Sequence, residues 1–305
     1  MGLPTVPAQA WAVRLVDVVA IAGGLGAALC WAIATLASSR SSRMIGAASV
    51  LAWVMVVGLV ASVLPAAVAN PVPLEPVDLF ELVLTGISYT TGLLLAYRAL
   101  TIGRVSIVAP ITATEGAVAA LISVALGEPL ALTTALVLGF IAVGVVLAAR
   151  ERAADAEQDP HATDPANQRR AAILALAAAG AFSIGLVAAG RLGEADIPPG
   201  WVILAGRAVG SLAIAAPLIL AGRLRLTRRA APLVVLSGVL EALGSGLYVI
   251  AAHNGVAAAA VLSSQFAAIA AVGAFFLFGE RLQRIQVLGV ILIALGVTAL
   301  AATQA

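Results

Sequence analysis

The chain repeats itself at a fixed distance of 152 residues, and this repeat constrains the fold more than any other feature. It begins near Leu82, and the Gly127-Glu128 pair recurs as Gly279-Glu280. The other matching positions are Gly86, Gly92, Gly103, Leu130, Ile141, Ala142, Gly144 and Val145, which pair with Gly238, Gly244, Gly255, Leu282, Ile293, Ala294, Gly296 and Val297. A single offset without a gap indicates an internal duplication, which has to be settled before any fold is assigned.

The composition indicates that lipid is the solvent for much of the surface. Of 305 residues, 62% are hydrophobic and 10% are charged, whereas a soluble domain carries about 25% charged residues. The net charge of +2 is small and the basic residues are spread over the connectors, which argues against nucleic acid as a partner. The N-terminal stretch lacks a basic region, and the apolar run after it is too long for a cleavable signal. We therefore expect a first membrane span there.

Membrane spans need about 20 largely apolar residues each, and the sequence predicts ten of them. Runs of this length without alternation predict helices, because the backbone polar groups must be satisfied within each span. The predicted spans are Val18–Ser38, Met44–Ala66, Leu79–Ala99, Val105–Leu126, Ala131–Ala149, Ala171–Gly190, Gly200–Ala221, Pro232–Ala252, Ala257–Phe278 and Ile285–Thr303.

Five spans in each half predict that the halves cross the bilayer in opposite directions. The expected domains are a first repeat at residues 1–149, a polar linker at 150–170 that reads as disordered, and a second repeat at 171–305. The fold class is therefore an all-α integral membrane protein with ten transmembrane helices in two inverted five-helix repeats. Secondary transporters use this plan and place their site at the midplane between the repeats.

Two segments of the chain resemble the repeat of a known family. Residues 95–147 read LAYRALTIGRVSIVAPITATEGAVAALISVALGEPLALTTALVLGFIAVGVVL, and residues 261–300 read VLSSQFAAIAAVGAFFLFGERLQRIQVLGVILIALGVTAL. Both resemble the EamA-type repeat of the drug/metabolite transporter superfamily, in which a short apolar helix ends in Gly-Glu and a Gly-bearing helix follows a short turn. The resemblance implies a metabolite carrier or exporter of the plasma membrane.

The chain departs from that pattern in three places. Glu115 and Ala267 stand where the family often has a proline, and the connector between the second and third spans is acidic where the family's is basic. The family also implies cytoplasmic termini. Fourteen arginines lie at the end of the bundle opposite the termini and two at the same end, so the rule that cytoplasmic loops are basic predicts termini outside the cell.

Two acidic residues lie near the predicted bilayer centre. Glu115 is about ten residues into the fourth span and Glu241 about nine into the eighth, at a rise of about 1.5 Å per residue. A charged side chain at this depth costs at least ~2.5–3.5 kcal/mol, so it should face the bundle interior. Each is either a binding or proton-coupling carboxylate or a hydrogen-bonded packing residue.

A basic residue and a tyrosine belong to the same set. Arg207 in the seventh span matches an arginine that the family often has there, and it needs an acceptor because it keeps its charge. It either pairs with Glu241 or contacts substrate. Tyr89 stands 152 residues before Glu241, so the two are expected at symmetry-related positions of the cavity.

Further polar residues complete the candidate site. Ser264 and Gln265, in the ninth span beside Ser263, either line the cavity or bond to neighbouring helices. Glu128 and Glu280 are expected to accept from the N–H groups of the helix that follows each of them. We predict one central cavity surrounded by Glu115, Glu241 and Arg207, with Gln265 and Ser264 in its lining.

The sequence offers no support for an enzyme. It shows no nucleophile with a base, no phosphate-binding glycine loop, and too few metal ligands with one Cys and two His, so no catalytic residue, metal or cofactor is expected. The predicted function is secondary transport, most simply export, of a small polar metabolite such as an amino acid across the plasma membrane by alternating access. The alternatives are a non-transporting scaffold or accessory subunit, and a multidrug exporter. The expected partners are the substrate, protons and the bilayer, and the sequence leaves a homodimer open.

Overall fold

The computed structural model describes residues 8–115 and 164–252, some positions between 118 and 147, and residues 263–303 except 264 and 282. Side chains are described from residue 22 onward. Every regular element within these ranges is a helix. The helices are α1 (Ala8–Ile45), α2 (Ala47–Ala67), α3 (Pro76–Ile102), α4 (Val105–Thr112), α5 (Pro165–Glu194), α6 (Pro199–Leu220), α7 (Ala231–Ala252), α8 (Phe266–Phe278) and α9 (Arg284–Thr303).

Six of the described helices, α1, α2, α3, α5, α6 and α7, are long and apolar enough to cross a membrane, and shorter apolar stretches lie in α8 and α9. Large apolar side chains on their outer faces are exposed, among them Leu220 at 88% and Phe276 at 77%. Such a surface is stable only against hydrocarbon, which confirms the prediction of an all-α, multi-pass membrane protein. The number of ten spans stays a prediction, because parts of the fourth, fifth and ninth spans fall outside the described residues.

The first connector differs from its prediction. Residues 39–43, expected between two spans, continue α1, and the chain turns instead at Gly46, whose φ is +87°. Ser41 Oγ donates to the Ala37 carbonyl oxygen at 2.8 Å. A serine bonded back in this way remains within a helix, so this serine-rich run forms the last turns of α1.

The predicted linker is also shorter than expected at its C-terminal end. Residues 165–170 belong to α5, which begins with Pro165 after the cap residue Asp164. The Asp164 carboxylate accepts from the Ala166 N–H at 3.3 Å. A capping Asp followed by Pro at the first helical position starts a helix regardless of the charges that follow. The remaining part, residues 150–163, lies outside the described residues.

The fourth span is interrupted close to Glu115. The α-helical stretch α4 contains Pro110 and ends at Thr112, and Ala113 and Thr114 form a turn. Thr114 Oγ1 donates to the Ile111 carbonyl at 2.7 Å. Proline removes one backbone hydrogen bond and disturbs the turn before it, whereas this interruption lies one turn after Pro110.

The two halves touch each other through reciprocal contacts at the 152-residue offset. A methyl group added to Gly58 would meet Arg207, and one added to Gly210 would meet Met55. These are equivalent positions, since 58 corresponds to 210 and 55 to 207. Two further reciprocal sets are Gly86–Val209 with Gly238–Val57, and Gly144–Ile293 with Gly296–Ile141. Reciprocal contacts of this kind arise when two units meet across a two-fold axis.

The helix pairing follows the same relation. Helix α1 packs mainly against α7, and α3 packs mainly against α5, so each of these contacts joins one half to the other. Helix α2 likewise packs against α6. The middle of the bundle is therefore an interface between the halves, and polar side chains placed there come from both.

Candidate functional site

Three polar side chains from three helices meet inside the bundle. The Tyr89 hydroxyl of α3 donates to Glu241 Oε2 of α7 at 2.6 Å. The Arg207 guanidinium of α6 donates from Nη2 to the Tyr89 oxygen at 3.3 Å and lies 3.7 Å from Glu241 Oε2. Arg207 is 2% exposed and Glu241 7%. We call Tyr89, Arg207 and Glu241 the central cluster.

Arg207 has room in this position because α2 presents a glycine to it. A Cβ atom at Gly58 would lie 3.0 Å from Arg207 Cδ and 3.1 Å from Nε. The guanidinium carbon lies 4.9 Å from the centre of the Tyr89 ring, a cation–π distance. The Arg207 side chain is thus held between the backbone of α2 and the ring of Tyr89.

The guanidinium retains an unused donor. Among the described residues, Arg207 Nη1 is buried and has no hydrogen-bond partner. A buried charged donor without an acceptor costs about 1–3 kcal/mol or more, so such a group is kept only where something compensates for it. An anionic group of a ligand, such as a carboxylate, would supply the missing acceptor.

The cluster lies near the axis that relates the halves, and it breaks their symmetry. Tyr89 and Glu241 are equivalent positions and are nevertheless in contact, which requires both to lie close to the axis. The equivalent of Arg207 is Met55, which is fully buried. The second half thus supplies the acid and the base, and the first half supplies the tyrosine and a thioether.

Glu115 stands beside the cluster but is not bonded to it in the described structure. It follows the break at Ala113–Thr114 and is partly exposed. Its carbonyl oxygen accepts from Ser183 Oγ at 2.6 Å. Glu115 thus contacts α5 through its backbone, and a shared cavity with Arg207 and Glu241 stays a prediction.

The other predicted lining residues are placed differently. Gln265 is directed towards the last helix, where its Nε2 donates to Thr298 Oγ1 at 3.2 Å. It borders a small void of about 20 Å³ together with Pro110 and Ala113 of the fourth span. Ser264 lies outside the described residues, so its part in the cavity remains untested.

Sequence reasoning missed the π-helical turn that follows Arg207 in α6. Residues Ser211–Ala215 are π-helical, a local widening that is frequent at functional sites. Ser211 Oγ and Thr90 Oγ1 are both buried without a hydrogen-bond partner among the described residues. In the sequence, only their positions pointed to these two hydroxyls. Thr90 directly follows Tyr89, and Ser211 lies one helical turn after Arg207.

Glu280 caps a helix, although not the one predicted for it. Its carboxylate accepts from the Val105 and Ser106 N–H groups at 3.0 and 2.9 Å, and from Ser106 Oγ at 2.8 Å. These N–H groups lie at the start of α4 in the first half. The prediction was that Glu280 would cap α9, the helix that follows it in the chain. The cap favours the helix dipole as proposed, but it joins the two halves. Glu128, its counterpart, lies outside the described residues.

Contacts between the halves occur at both ends of the bundle. Beside the Glu280 cap, Arg104 Nη1 donates to the Arg281 carbonyl at 2.6 Å. At the opposite end, Arg191 of α5 forms a 2.9 Å ion pair with Glu81 of α3. The two halves are therefore in contact at both ends of the bundle in this conformation.

A metal centre finds no support in the described part of the chain, where no three His, Cys, Asp or Glu side chains come together. The candidate site is therefore a buried ion pair with a tyrosine and a second carboxylate nearby. Such an arrangement can bind a charged or zwitterionic small molecule and can hold a proton.

Comparison with known proteins is consistent with the sequence resemblance. The model of the EamA-like transporter family matches the chain twice, over residues 18–150 and 169–302. A crystal structure of another protein superposes with a TM-score of 0.63 at 20% identity, over 94% of this chain and 96% of that chain, which shows a shared fold. The sequence has no significant match among curated proteins.

Proposed function

The chain belongs to the EamA-like transporter family, and from this membership and the central cluster we propose that it is a secondary transporter of a small zwitterionic metabolite. The expected substrate class is an amino acid or a similarly charged compound. The proposed direction is export across the plasma membrane. The observation that carries the proposal is the buried, unpartnered Nη1 of Arg207 beside Glu241, where the halves meet.

The chemistry of the cluster supports a zwitterion. A substrate carboxylate would accept from Arg207, and two parallel N–H···O bonds from one guanidinium give both strength and orientation. A substrate ammonium would meet Glu241 or Glu115. Since the acid and the base come from different helices, α7 and α6, a change in their packing alters both contacts together.

Alternating access supplies the proposed route. In this mechanism, ten helices form two inverted repeats, residues 1–149 and 171–305, which rock against each other around the central cluster. In this proposal the Glu280 cap and the Arg104–Arg281 bond would hold one end closed, and the Arg191–Glu81 pair would hold the other. Opening either end requires its contacts between the halves to break while those at the other end persist.

Proton coupling is part of the proposal. Glu115 is the better placed carrier, because it is partly exposed and the described structure shows no ion pair for it, whereas Glu241 is paired with Arg207. A carboxylate without a cation partner can exchange its proton without first breaking an ion pair.

The test is transport by the purified protein in liposomes, preloaded with unlabelled amino acids and exposed to radiolabelled ones in counterflow. Saturable exchange of one class of zwitterion is expected. If a broad screen of amino acids, amines and carboxylates gives no saturable flux, the protein has the role of a scaffold and the proposal is wrong.

A further inference from the structure

A second polar cavity lies at the arginine-rich end of the bundle, away from the central cluster. Its volume is about 530 Å³. It is lined by the end of α1, the connector before α7 and the end of α8 through Ser39, Arg40, Arg43, Met44, Arg229 and Phe278. We propose that this cavity binds the phosphate headgroup of an anionic phospholipid.

The charge of the cavity is one-sided. Three guanidiniums line it and none of the lining residues is acidic. Arg43 is fixed in place, because its Nε donates to the Leu100 carbonyl at 3.1 Å and its Nη2 to the Gly103 carbonyl at 2.7 Å. Arg40 and Arg229 are exposed. Arginines that line one cavity suit the oxygens of a phosphate group.

A buried hydroxyl is a second, independent sign of a ligand. Ser39 is 0% exposed, and its Oγ has no hydrogen-bond partner among the described residues. A buried hydroxyl without a partner is costly unless a bound group supplies one. Because Ser39 is fully covered in this conformation, a phosphate oxygen would reach its Oγ only after the lining side chains move on binding.

The apolar part of the lining favours a lipid over a soluble phosphate. Met44 is 40% exposed, and the last turn of α8, which ends at the lining residue Phe278, exposes Phe276 and Leu277 at 77% and 65%. The cavity lies where α1 and α8 end, which is where the headgroups of a bilayer around the apolar helices are expected. Basic pockets between helices at this depth recognise anionic headgroups, and the acyl chains would cover the neighbouring apolar surface.

The experiment compares two double variants with the same loss of charge. Arg40→Gln/Arg229→Gln removes two lining arginines and leaves the structural Arg43 in place. The control, Arg223→Gln/Arg228→Gln, removes two exposed arginines of the same connector that do not line the cavity. Native mass spectrometry of each purified protein would measure binding of phosphatidylglycerol, with phosphatidylcholine as the neutral lipid.

The proposal predicts a bound phosphatidylglycerol on the wild type, about tenfold weaker binding by the lining variant, and unchanged binding by the control. Equal loss in both variants, or equal binding of both lipids, would overturn it. Competition by inorganic phosphate at concentrations similar to those of the lipid would show that the ligand is soluble and overturn the lipid assignment. If the double variant does not fold, Arg229→Gln alone is compared with Arg228→Gln under the same criteria.

Discussion

The Tyr89 hydroxyl lies 2.6 Å from Glu241 Oε2, although the two residues are 152 positions apart and occupy equivalent places in the repeat. Two equivalent atoms are separated by twice their distance from the axis that relates them. A hydrogen bond between equivalent residues therefore places both close to the axis. A site on the axis is reached equally from either end of the bundle, which is the geometry that alternating access needs.

Replacing Arg207 with methionine, the residue at the equivalent position of the first repeat, distinguishes a role of Arg207 in substrate binding from a role in helix packing. Arg207→Met installs the residue found at position 55 and leaves Glu241 buried without its cation. Removing one partner of a buried ion pair costs about 3–5 kcal/mol, whereas replacing both is often neutral. We expect a large fall in thermal stability for Arg207→Met and recovery of most of it in Arg207→Met/Glu241→Gln.

Transport by the same variants completes this prediction. Neither the single nor the double variant should show counterflow exchange, because neither has the guanidinium. Recovery of transport along with stability in the double variant would mean that the pair serves only to hold the helices together.

The two carboxylates are expected to differ in role. Glu115→Gln keeps the shape of the side chain but cannot carry a proton, so we expect loss of pH-driven accumulation with counterflow exchange retained. Glu241→Gln removes the partner of Arg207 and should lose both. Uptake into liposomes with and without a pH gradient measures the difference, and equal behaviour of the two variants would contradict separate roles.

Removing the tyrosine hydroxyl tests the hydrogen bond directly. Tyr89→Phe keeps the ring over Arg207 and deletes the donor to Glu241. A buried acceptor left without its donor costs about 1–3 kcal/mol, so the thermal midpoint in detergent should fall. Tyr97→Phe, another buried tyrosine of α3, is the matched control, and an equal fall in both would show that the effect is not specific to the central cluster.

The Glu280 cap is expected to stabilise the closed arginine-rich end. Glu280→Gln keeps one acceptor oxygen and removes the charge that three donors share. Loss of a cap costs about 0.5–2 kcal/mol. Ser106→Ala removes one of the three donors and should cost less. Accessibility to a thiol reagent of a cysteine placed at Val105, which donates to Glu280 only through its backbone N–H, should rise in the Glu280→Gln background, and unchanged labelling would contradict a closing role.

The orientation follows from the arginine count and can be measured. We predict outward termini, so a cysteine placed at Ala305 after replacement of Cys30 should react with an impermeant thiol reagent in intact cells. Labelling only after lysis would show cytoplasmic termini, as the family resemblance implies. In that case the arginines around the cavity between α1, α7 and α8 would serve ligand binding rather than topology.

Sequence patterns predicted the features that depend on contact with lipid and on depth in the bilayer. The apolar runs predicted the helices. The polar residues near the midpoints of those runs included Arg207 and Glu241, which the structure brings together. The same patterns could not say which helix Glu280 caps, because its partner α4 is distant in sequence and reaches it only through packing of the halves. They also placed a connector at residues 39–43, since serines and arginines there look like a loop until the backbone bond of Ser41 is seen.

The most direct test of the central cluster is binding by purified protein in detergent, measured as ligand-induced thermal stabilisation across amino acids and their singly charged analogues. A ligand that binds only the folded state at 100 times its dissociation constant stabilises it by about 2.7 kcal/mol. We predict stabilisation of the wild type and of the control Arg223→Lys, in the exposed connector before α7, by a zwitterion, and its loss in Arg207→Lys and Glu241→Gln. Equal stabilisation of all four proteins by the same ligand would place the substrate elsewhere and contradict the account.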